Sequence, residues 1–146
     1  MVYVDSEHLA DWLDSARVAK LPVESSERFD EYLCSLPWLP SRIDWRDIRY
    51  STFSYHDAGW SGDAAVEWAS EMGFMEFESA FIMYSASEPG ILCNVRDAFF
   101  ELDFLTLGRV HPAYICGARK AEGELVLAFD KFAEWDGFSV LTTPLP

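Results

Sequence analysis

The spacing of the apolar residues changes along this chain at Phe74. Most of the sequence before Phe74 repeats apolar residues every three or four positions, as Phe29, Leu33 and Leu36 do, whereas apolar and polar residues alternate after it. A helix buries one face with a period near 3.6 residues, and a strand buries one face with a period of two. We therefore expect an α+β fold, with N-terminal helices packed on one face of an antiparallel sheet of about five to six strands. The length of 146 residues is typical of one domain, so residues 1–146 are expected to form a single globular domain.

Three helices are predicted before Phe74. Each begins near a serine or aspartate that can cap its first turn, and each ends at a proline or glycine; the predicted spans are 5–21, 25–36 and 61–72. Residues 37–40 contain two prolines and are not expected to form regular structure. Residues 48–55 are rich in aromatic side chains, at Tyr50, Phe53 and Tyr55, and are predicted to form an edge strand.

Strands are predicted after the third helix at 74–84, 91–95, 99–107, 113–118, 125–129 and 138–142, the second and third of these as one long or two short strands. The sequence Ala121–Glu122–Gly123 is typical of a hairpin turn. A short helical turn is expected at 131–135, and 138–142 is expected to be a last edge strand.

Acidic residues outnumber basic ones by 25 to 11, which gives a formal net charge of −14 at pH 7. This charge argues against nucleic acid, an anionic membrane surface or any other polyanion as the main partner. The segment Met1–Asp5 lacks the basic start and apolar run of a signal peptide, and no apolar run is long enough to span a bilayer. The three cysteines lie in apolar stretches without a CxxC pair, which is typical of buried thiols in a reducing compartment. We expect a soluble, cytoplasmic protein.

Motifs for catalysis or metal binding do not stand out. His8, His56 and His111 lie in separate segments, and none has a second histidine at the spacing of a metal site. There is no GxSxG nucleophile elbow, and the glycine-rich turn before the third helix is followed by Asp63, which would repel a phosphate. We therefore expect no catalytic residues, no bound metal, no cofactor and no enzyme activity.

The acidic residues are concentrated in one third of the chain. Between Ser61 and Gly108 there are nine acidic residues and one basic residue, Arg96. On the third predicted helix, Asp63, Glu67 and Glu71 are spaced at i, i+4 and i+8, so they lie above one another on a single face. Alternation on the predicted strands pairs Glu76 with Glu78, and Glu101 with Asp103. These groups would form one negative surface, which serves either to bind a partner or simply to keep the protein soluble.

Aromatic residues interleaved with aspartates add a second signal, because aromatic anchors among charges are typical of interfaces. The combination predicts an acidic inhibitor of the immunity or antitoxin type. It would bind one basic protein partner, most plausibly the catalytic, nuclease-like domain of a bacterial toxin. The charged contacts are expected to come from the third helix, with tryptophan and tyrosine anchors; the predicted partner-binding residues are Asp63, Glu67, Glu71, Trp45, Tyr55, Trp60, Asp57, Glu76 and Glu78.

Two alternatives are kept open. The first is a small α+β enzyme or ligand-binding domain whose apolar pocket is lined by Trp12, Tyr32, Phe77 or Phe104. The second is a mimic of DNA, with carboxylates spaced like phosphates. Against the mimic, six of the eleven basic residues lie in the first sixty positions, so the surface is not uniformly negative.

Overall fold

The computed structural model describes residues 18–40, 42–48, 51–55, 62–106, 109, 112–137 and 140–144, with the backbone alone at 52–55. Four α-helices are described in these ranges: α1 (Val23–Cys34), α2 (Gly62–Glu71), α3 (Val95–Phe100) and α4 (Leu102–Leu105). The strands are β1 (Val18–Lys20), β2 (Trp38–Leu39), β3 (Arg42–Ile43), β4 (Ser51–Tyr55), β5 (Ser79–Met83), β6 (Ile91–Asn94), β7 (Ala113–Ala121), β8 (Glu124–Trp135) and β9 (Val140–Pro144). Short 3-10 helices span Trp45–Asp47 and Phe74–Glu76.

Seven of the strands form one antiparallel sheet in the order β1-β6-β5-β7-β8-β9-β4, while β2 and β3 pair separately. The α+β class is therefore confirmed. The predicted hairpin is also present, since β7 and β8 are joined through Glu122 and Gly123, which have φ angles of 53° and 83°. Two successive positive φ values are the geometry of the turn that best matches the twist of a hairpin.

Apolar layers cover both faces of this sheet. Along β5, Ala80 and Ile82 pack with α2, α3 and α4, whereas Phe81 and Met83 pack with α1 and with Ile43 of β3. Successive side chains of a strand point to opposite faces, so these two clusters lie on opposite sides of the sheet. The described helices thus lie on both faces of the sheet, whereas the sequence analysis expected them on one face. The reason is that β5 is apolar on both sides, and each side requires a cover.

The segment predicted as a strand at 99–107 is helical. The side chain of Asn94 accepts hydrogen bonds from the backbone N–H groups of Arg96 and Asp97, at 2.9 and 3.3 Å, and so caps the start of α3. In α3 and α4 the buried residues recur at helical spacing and include Phe99, Leu102 and Leu105. Because Glu101 lies between the two short helices and Asp103 within α4, the predicted strand-face pair of these two residues is wrong.

A second correction concerns the segment that follows α2. Gly73 takes a φ of 87° and ends the helix, as predicted, but the chain then forms a 3-10 helix and enters β5 only at Ser79. Glu76 lies in that 3-10 helix and Glu78 in the connection to β5, so they do not share a strand face.

Several strand boundaries also differ from those predicted. The chain is already extended at 18–20, within the first predicted helix, and residues 5–17 of that prediction lie outside the described residues. Residues 131–135 continue β8 instead of forming a helical turn, and β9 lies between β8 and β4 instead of at an edge. Strand β4 is at the edge of the sheet, as predicted. The two residues of β2, which lie between two prolines, pair with β3.

An irregularity in the β7–β8 pair sets which side chains of β8 face α1. Cys116 pairs with Phe132, but the next residue, Gly117, pairs with Ala128, so residues 129–131 are extra on β8. An insertion of three residues reverses the alternation, and as a result Phe129 and Phe132 both pack in the cluster with α1. Glu134, two residues beyond Phe132, therefore also points to the α1 side of the sheet.

The cysteines are all free thiols. Cys93 and Cys116 are buried, as expected, whereas Cys34 is exposed near the end of α1. The expectation of a buried thiol was wrong at that position because Cys34 falls on the outer face of the helix, next to the buried Leu33.

Candidate functional site

Helix α2 presents the predicted row of carboxylates to solvent. Asp63, Glu67 and Glu71 are all exposed, whereas the opposite side of the helix is buried through Ala65, Val66, Trp68 and Ala69. The helical period places the three carboxylates on successive turns. Within the described part of the chain, none of the three forms an ion pair with a lysine or arginine. We refer to Asp63, Glu67 and Glu71 as the α2 carboxylate row.

The end of α3 lies against the start of α2. A Cβ atom built on Gly62 would be 2.8 Å from the carbonyl oxygen of Phe100 and 2.9 Å from its ring, so glycine permits this close approach. The contact brings the start of α2, where Asp63 follows Gly62, close to Phe100 at the end of α3. Further carboxylates follow on this layer at Glu101 and Asp103, and the described residues of α2, α3 and α4 include one basic side chain, Arg96.

Phe100 is the functional candidate that the sequence did not indicate. Its side chain is 46% exposed, although most large apolar side chains of the described core are buried. The prediction of a strand at 99–107 concealed it, because alternation would place Phe100 on the apolar face with Leu102 and Phe104. In the helix α3, Phe99 is buried instead and Phe100 points to solvent. We define the acidic helical surface as the α2 carboxylate row together with Phe100, Glu101 and Asp103.

Of the other three predicted acidic residues, Glu76 and Glu78 lie outside the acidic helical surface as defined. Glu76 and Glu78 are exposed. Glu76 lines a cavity of about 300 Å³ together with Arg119 and Lys131. The Lys131 Nζ atom donates a hydrogen bond to the carbonyl of Met72 at the end of α2, and lies 5.2 Å from the centre of the Phe74 ring. Glu76 thus has basic neighbours, unlike the α2 carboxylate row.

The predicted aromatic anchors fall in different environments. Trp60 and Asp57 lie outside the described residues. Tyr55 is described in its backbone, which ends β4 and pairs with Val140. Trp45 is half-buried, and its ring lies 5.7 Å from that of Phe132. Trp45 is therefore partly held within the fold, and its role as an anchor stays a prediction.

Two further tryptophans, Trp135 and Trp38, differ in their exposure to solvent. Trp135 is fully buried and donates its indole N–H to Thr106 Oγ1 at 3.0 Å, so it belongs to the core. Trp38 is 40% exposed, and its indole N–H donates to the carbonyl of Leu33 at 2.6 Å. Trp38 is therefore fixed to the end of α1 and presents part of its ring to solvent.

Trp45 is held by a carboxylate that the sequence analysis did not single out. Its indole N–H donates to Oε1 of Glu134 at 3.1 Å, and the hydroxyl of Tyr114 donates to Oε2 of the same residue at 3.1 Å. Burial raises the pKa of Glu134, and these two hydrogen bonds oppose that rise. Burial also raises the pKa of Tyr114 strongly, and the nearby carboxylate of Glu134 adds to the rise. Tyr114 therefore stays a neutral donor.

A cavity of about 350 Å³ opens beside Glu134, between β8–β9 and the segment that contains β3. We call it the Glu134 pocket; its lining consists of Leu39, Arg42, Ile43, Asp44, Trp45, Arg46, Glu134, Asp136, Val140 and Thr142. It is not the pocket that the sequence suggested, which would have been lined by Trp12, Tyr32, Phe77 or Phe104. Trp12 lies outside the described residues.

Two of the other residues of that suggested pocket, Tyr32 and Phe104, are separated by the sheet. Tyr32 packs against Phe129 and Phe132 on the α1 side. Phe104 packs in the opposite cluster, and the ring of Phe77 fills the space above Gly117. These three residues therefore do not line a common cavity.

In the described part of the chain, no three histidine, cysteine or acidic side chains are grouped closely enough to hold a metal ion. No described helix has the length and apolar character needed to cross a membrane. Comparisons with protein-family models, with curated proteins and with solved structures gave no match.

Proposed function

We propose that this protein is an inhibitor of the immunity or antitoxin type, which binds a basic protein partner through the acidic helical surface. The observation that supports the proposal most is the α2 carboxylate row, in which three exposed carboxylates without a described basic partner follow one another along a helix. Like charges at this spacing destabilise a helix by a few tenths of a kcal/mol per pair. A partner with complementary charge would remove this repulsion.

The surface also has an apolar component suited to binding. Phe100 is 46% exposed beside the start of the row and is followed directly by Glu101. Aromatic residues that fill a pocket commonly supply a large share of interface energy, while surrounding charges mainly accelerate encounter and select the partner. In the proposed complex, the carboxylates steer a basic partner to the surface and Phe100 slows dissociation.

The most plausible partner is the catalytic domain of a bacterial toxin that acts on nucleic acid. Such a domain needs lysine or arginine side chains to bind phosphates, and carboxylates that occupy those side chains would exclude its substrate. The protein would then act by blocking a site, with no chemistry of its own.

The test begins with a pull-down from lysate of the source organism at about 0.1 M and about 1 M salt, between which the Debye length falls from roughly 10 Å to 3 Å. A partner recovered at low salt is purified, and its nuclease activity is measured with and without this protein. We expect stoichiometric inhibition that weakens with salt. A partner that binds without losing activity, or whose binding does not depend on salt, contradicts the proposal.

A matched pair of triple variants then identifies the surface. Asp63→Asn/Glu67→Gln/Glu71→Gln neutralises the α2 carboxylate row. The control Glu24→Gln/Glu27→Gln/Glu31→Gln removes the same charge from three exposed positions of α1, on the other side of the sheet. Only the first variant is expected to slow association and to reduce its salt dependence. Equal effects of the two variants would show that net charge alone matters.

A further inference from the structure

The Glu134 pocket has a carboxylate whose charge is not neutralised by its own contacts. Both carboxylate oxygens accept hydrogen bonds, but the donors, the Trp45 indole and the Tyr114 hydroxyl, are uncharged. Glu134 forms no ion pair with any described residue. A carboxylate binds a cationic donor more strongly than an uncharged one, and each of its oxygens can accept a second hydrogen bond.

Neither of the two arginines that line the pocket forms an ion pair with Glu134. Arg46 donates to Asp44 at 3.4 Å, and its side chain is 84% exposed. Arg42 is exposed and has no ion pair with a described carboxylate. Its charge acts on Glu134 from a distance and lowers the pKa of that carboxyl by less than burial raises it. Among the described residues that line the pocket, Glu134 therefore has no ion-pair partner.

Most of the remaining wall of the cavity is apolar, and Thr142 adds one hydroxyl group. Leu39, Ile43 and Val140 line it together with the ring of Trp45. An aliphatic stem can pack against such walls while a cationic head meets the carboxylate, and an indole attracts cations through its ring face. The volume of about 350 Å³ is within the range of small-molecule sites.

From this arrangement we infer that the Glu134 pocket binds a small organic cation, namely a guanidinium or ammonium group on a short aliphatic stem. The pocket is on the α1 side of the sheet, opposite the acidic helical surface, so the inference does not depend on the proposed inhibitor function. The cationic group has two possible sources, a free small molecule or a lysine or arginine side chain of another protein.

Calorimetric titration with butylguanidinium tests the inference, with butylurea as its neutral isostere. We expect butylguanidinium to bind and butylurea to bind at least tenfold more weakly. Glu134→Gln is expected to weaken butylguanidinium binding at least tenfold, whereas Asp63→Asn, on the opposite side of the sheet, should leave it unchanged. No binding of butylguanidinium, or equal binding of the two compounds, overturns the inference.

A second variant keeps the test valid if Glu134→Gln folds poorly. Val140→Lys places an ammonium group at the wall of the pocket and leaves Glu134 intact, so it should compete with the added cation and reduce its affinity at least tenfold. The indole N–H resonance of Trp45, assigned with Trp45→Phe, should shift when butylguanidinium binds to the wild-type protein. Unchanged binding in Val140→Lys, or an unmoved resonance, would contradict binding at this pocket.

A third ligand distinguishes the two sources. N-acetyl-arginine methylamide presents the same guanidinium on a peptide backbone. Binding of this compound as tightly as butylguanidinium supports the pocket as a receptor for a protein side chain. Binding of butylguanidinium with exclusion of the peptide analogue supports a free small cation.

Discussion

Trp45 donates its indole N–H to Glu134 at 3.1 Å, across 89 residues of sequence. The contact ties the short 3-10 helix at Trp45–Asp47 to the C-terminal part of β8. Tyr114, on the neighbouring strand β7, completes the arrangement by donating to the other oxygen of the same carboxylate. One side chain thus joins three separate segments on the α1 side of the sheet.

Glu134 is predicted to make the stability of the protein depend on pH. Burial raises its pKa above the ordinary value of 4.5, so the folded state holds this proton more tightly than the unfolded state does. Its contribution to stability is fully present below pH 4.5 and is lost as the pH rises through the folded-state pKa. Since glutamine does not titrate, the stability of Glu134→Gln relative to wild type should increase with pH across this window.

Urea unfolding between about pH 4 and pH 8 measures this difference. Glutamine can still accept the Trp45 N–H with its oxygen, and its amide can donate to the Tyr114 hydroxyl, so the substitution preserves the contacts. The matched control is Glu124→Gln at the exposed start of β8, which should not reproduce the effect. A constant difference between Glu134→Gln and wild type at every pH would contradict the prediction.

Gly117→Ala is predicted to destabilise the fold by about 1–3 kcal/mol, the usual cost of overpacking. A Cβ atom at this position would lie 2.6 Å from the ring of Phe77, a distance that requires the ring or the strand to move. Chemical denaturation measures the loss. Phe77→Leu should relieve part of it, so the double variant is expected to lose less stability than the sum of the single variants. If the stability losses of the two single variants simply add in the double variant, contact with the Phe77 ring is not the cause of the destabilisation.

Phe100→Ala is predicted to weaken partner binding more than it lowers the stability of the fold. Because its side chain is 46% exposed, the free energy of unfolding should fall by only about 1 kcal/mol. Loss of an interface anchor, in contrast, commonly costs about 2 kcal/mol or more in binding, mainly through faster dissociation. Val126→Ala, at a position 45% exposed on the β7–β8 hairpin, is the control and should leave partner binding unchanged. Equal binding by wild type and Phe100→Ala, measured by surface plasmon resonance, would remove Phe100 from the interface.

The predictions that depended on local patterns agree best with the structure. Gly73 follows the end of helix α2, and Gly123 lies in the hairpin turn, as predicted. Both have a left-handed backbone, which favours glycine independently of the surrounding fold. Periodicity also placed Asp63, Glu67 and Glu71 on the exposed side of α2, since the opposite side carries the apolar residues.

The predictions that depended on short apolar runs are less reliable, because such runs have no distinct period. Phe99 and the residues after it are apolar enough for a strand, but the Asn94 cap and packing against α2 favour two short helices. That difference moved Phe100 from a supposed strand to an exposed helical position. It also separated Glu101 from Asp103 as a strand-face pair.

Composition and helical period are local properties, so they were enough to predict the α+β class, the acidic character of the chain and the row of carboxylates on α2. The helices on both faces of the sheet and the contact between Trp45 and Glu134 depend instead on long-range packing. The contact between Trp45 and Glu134 depends on the irregularity at Gly117, because three extra residues on β8 reverse its alternation and direct Glu134 toward the α1 side. Pairing between distant strands sets such a register, and no local pattern in β8 encodes it.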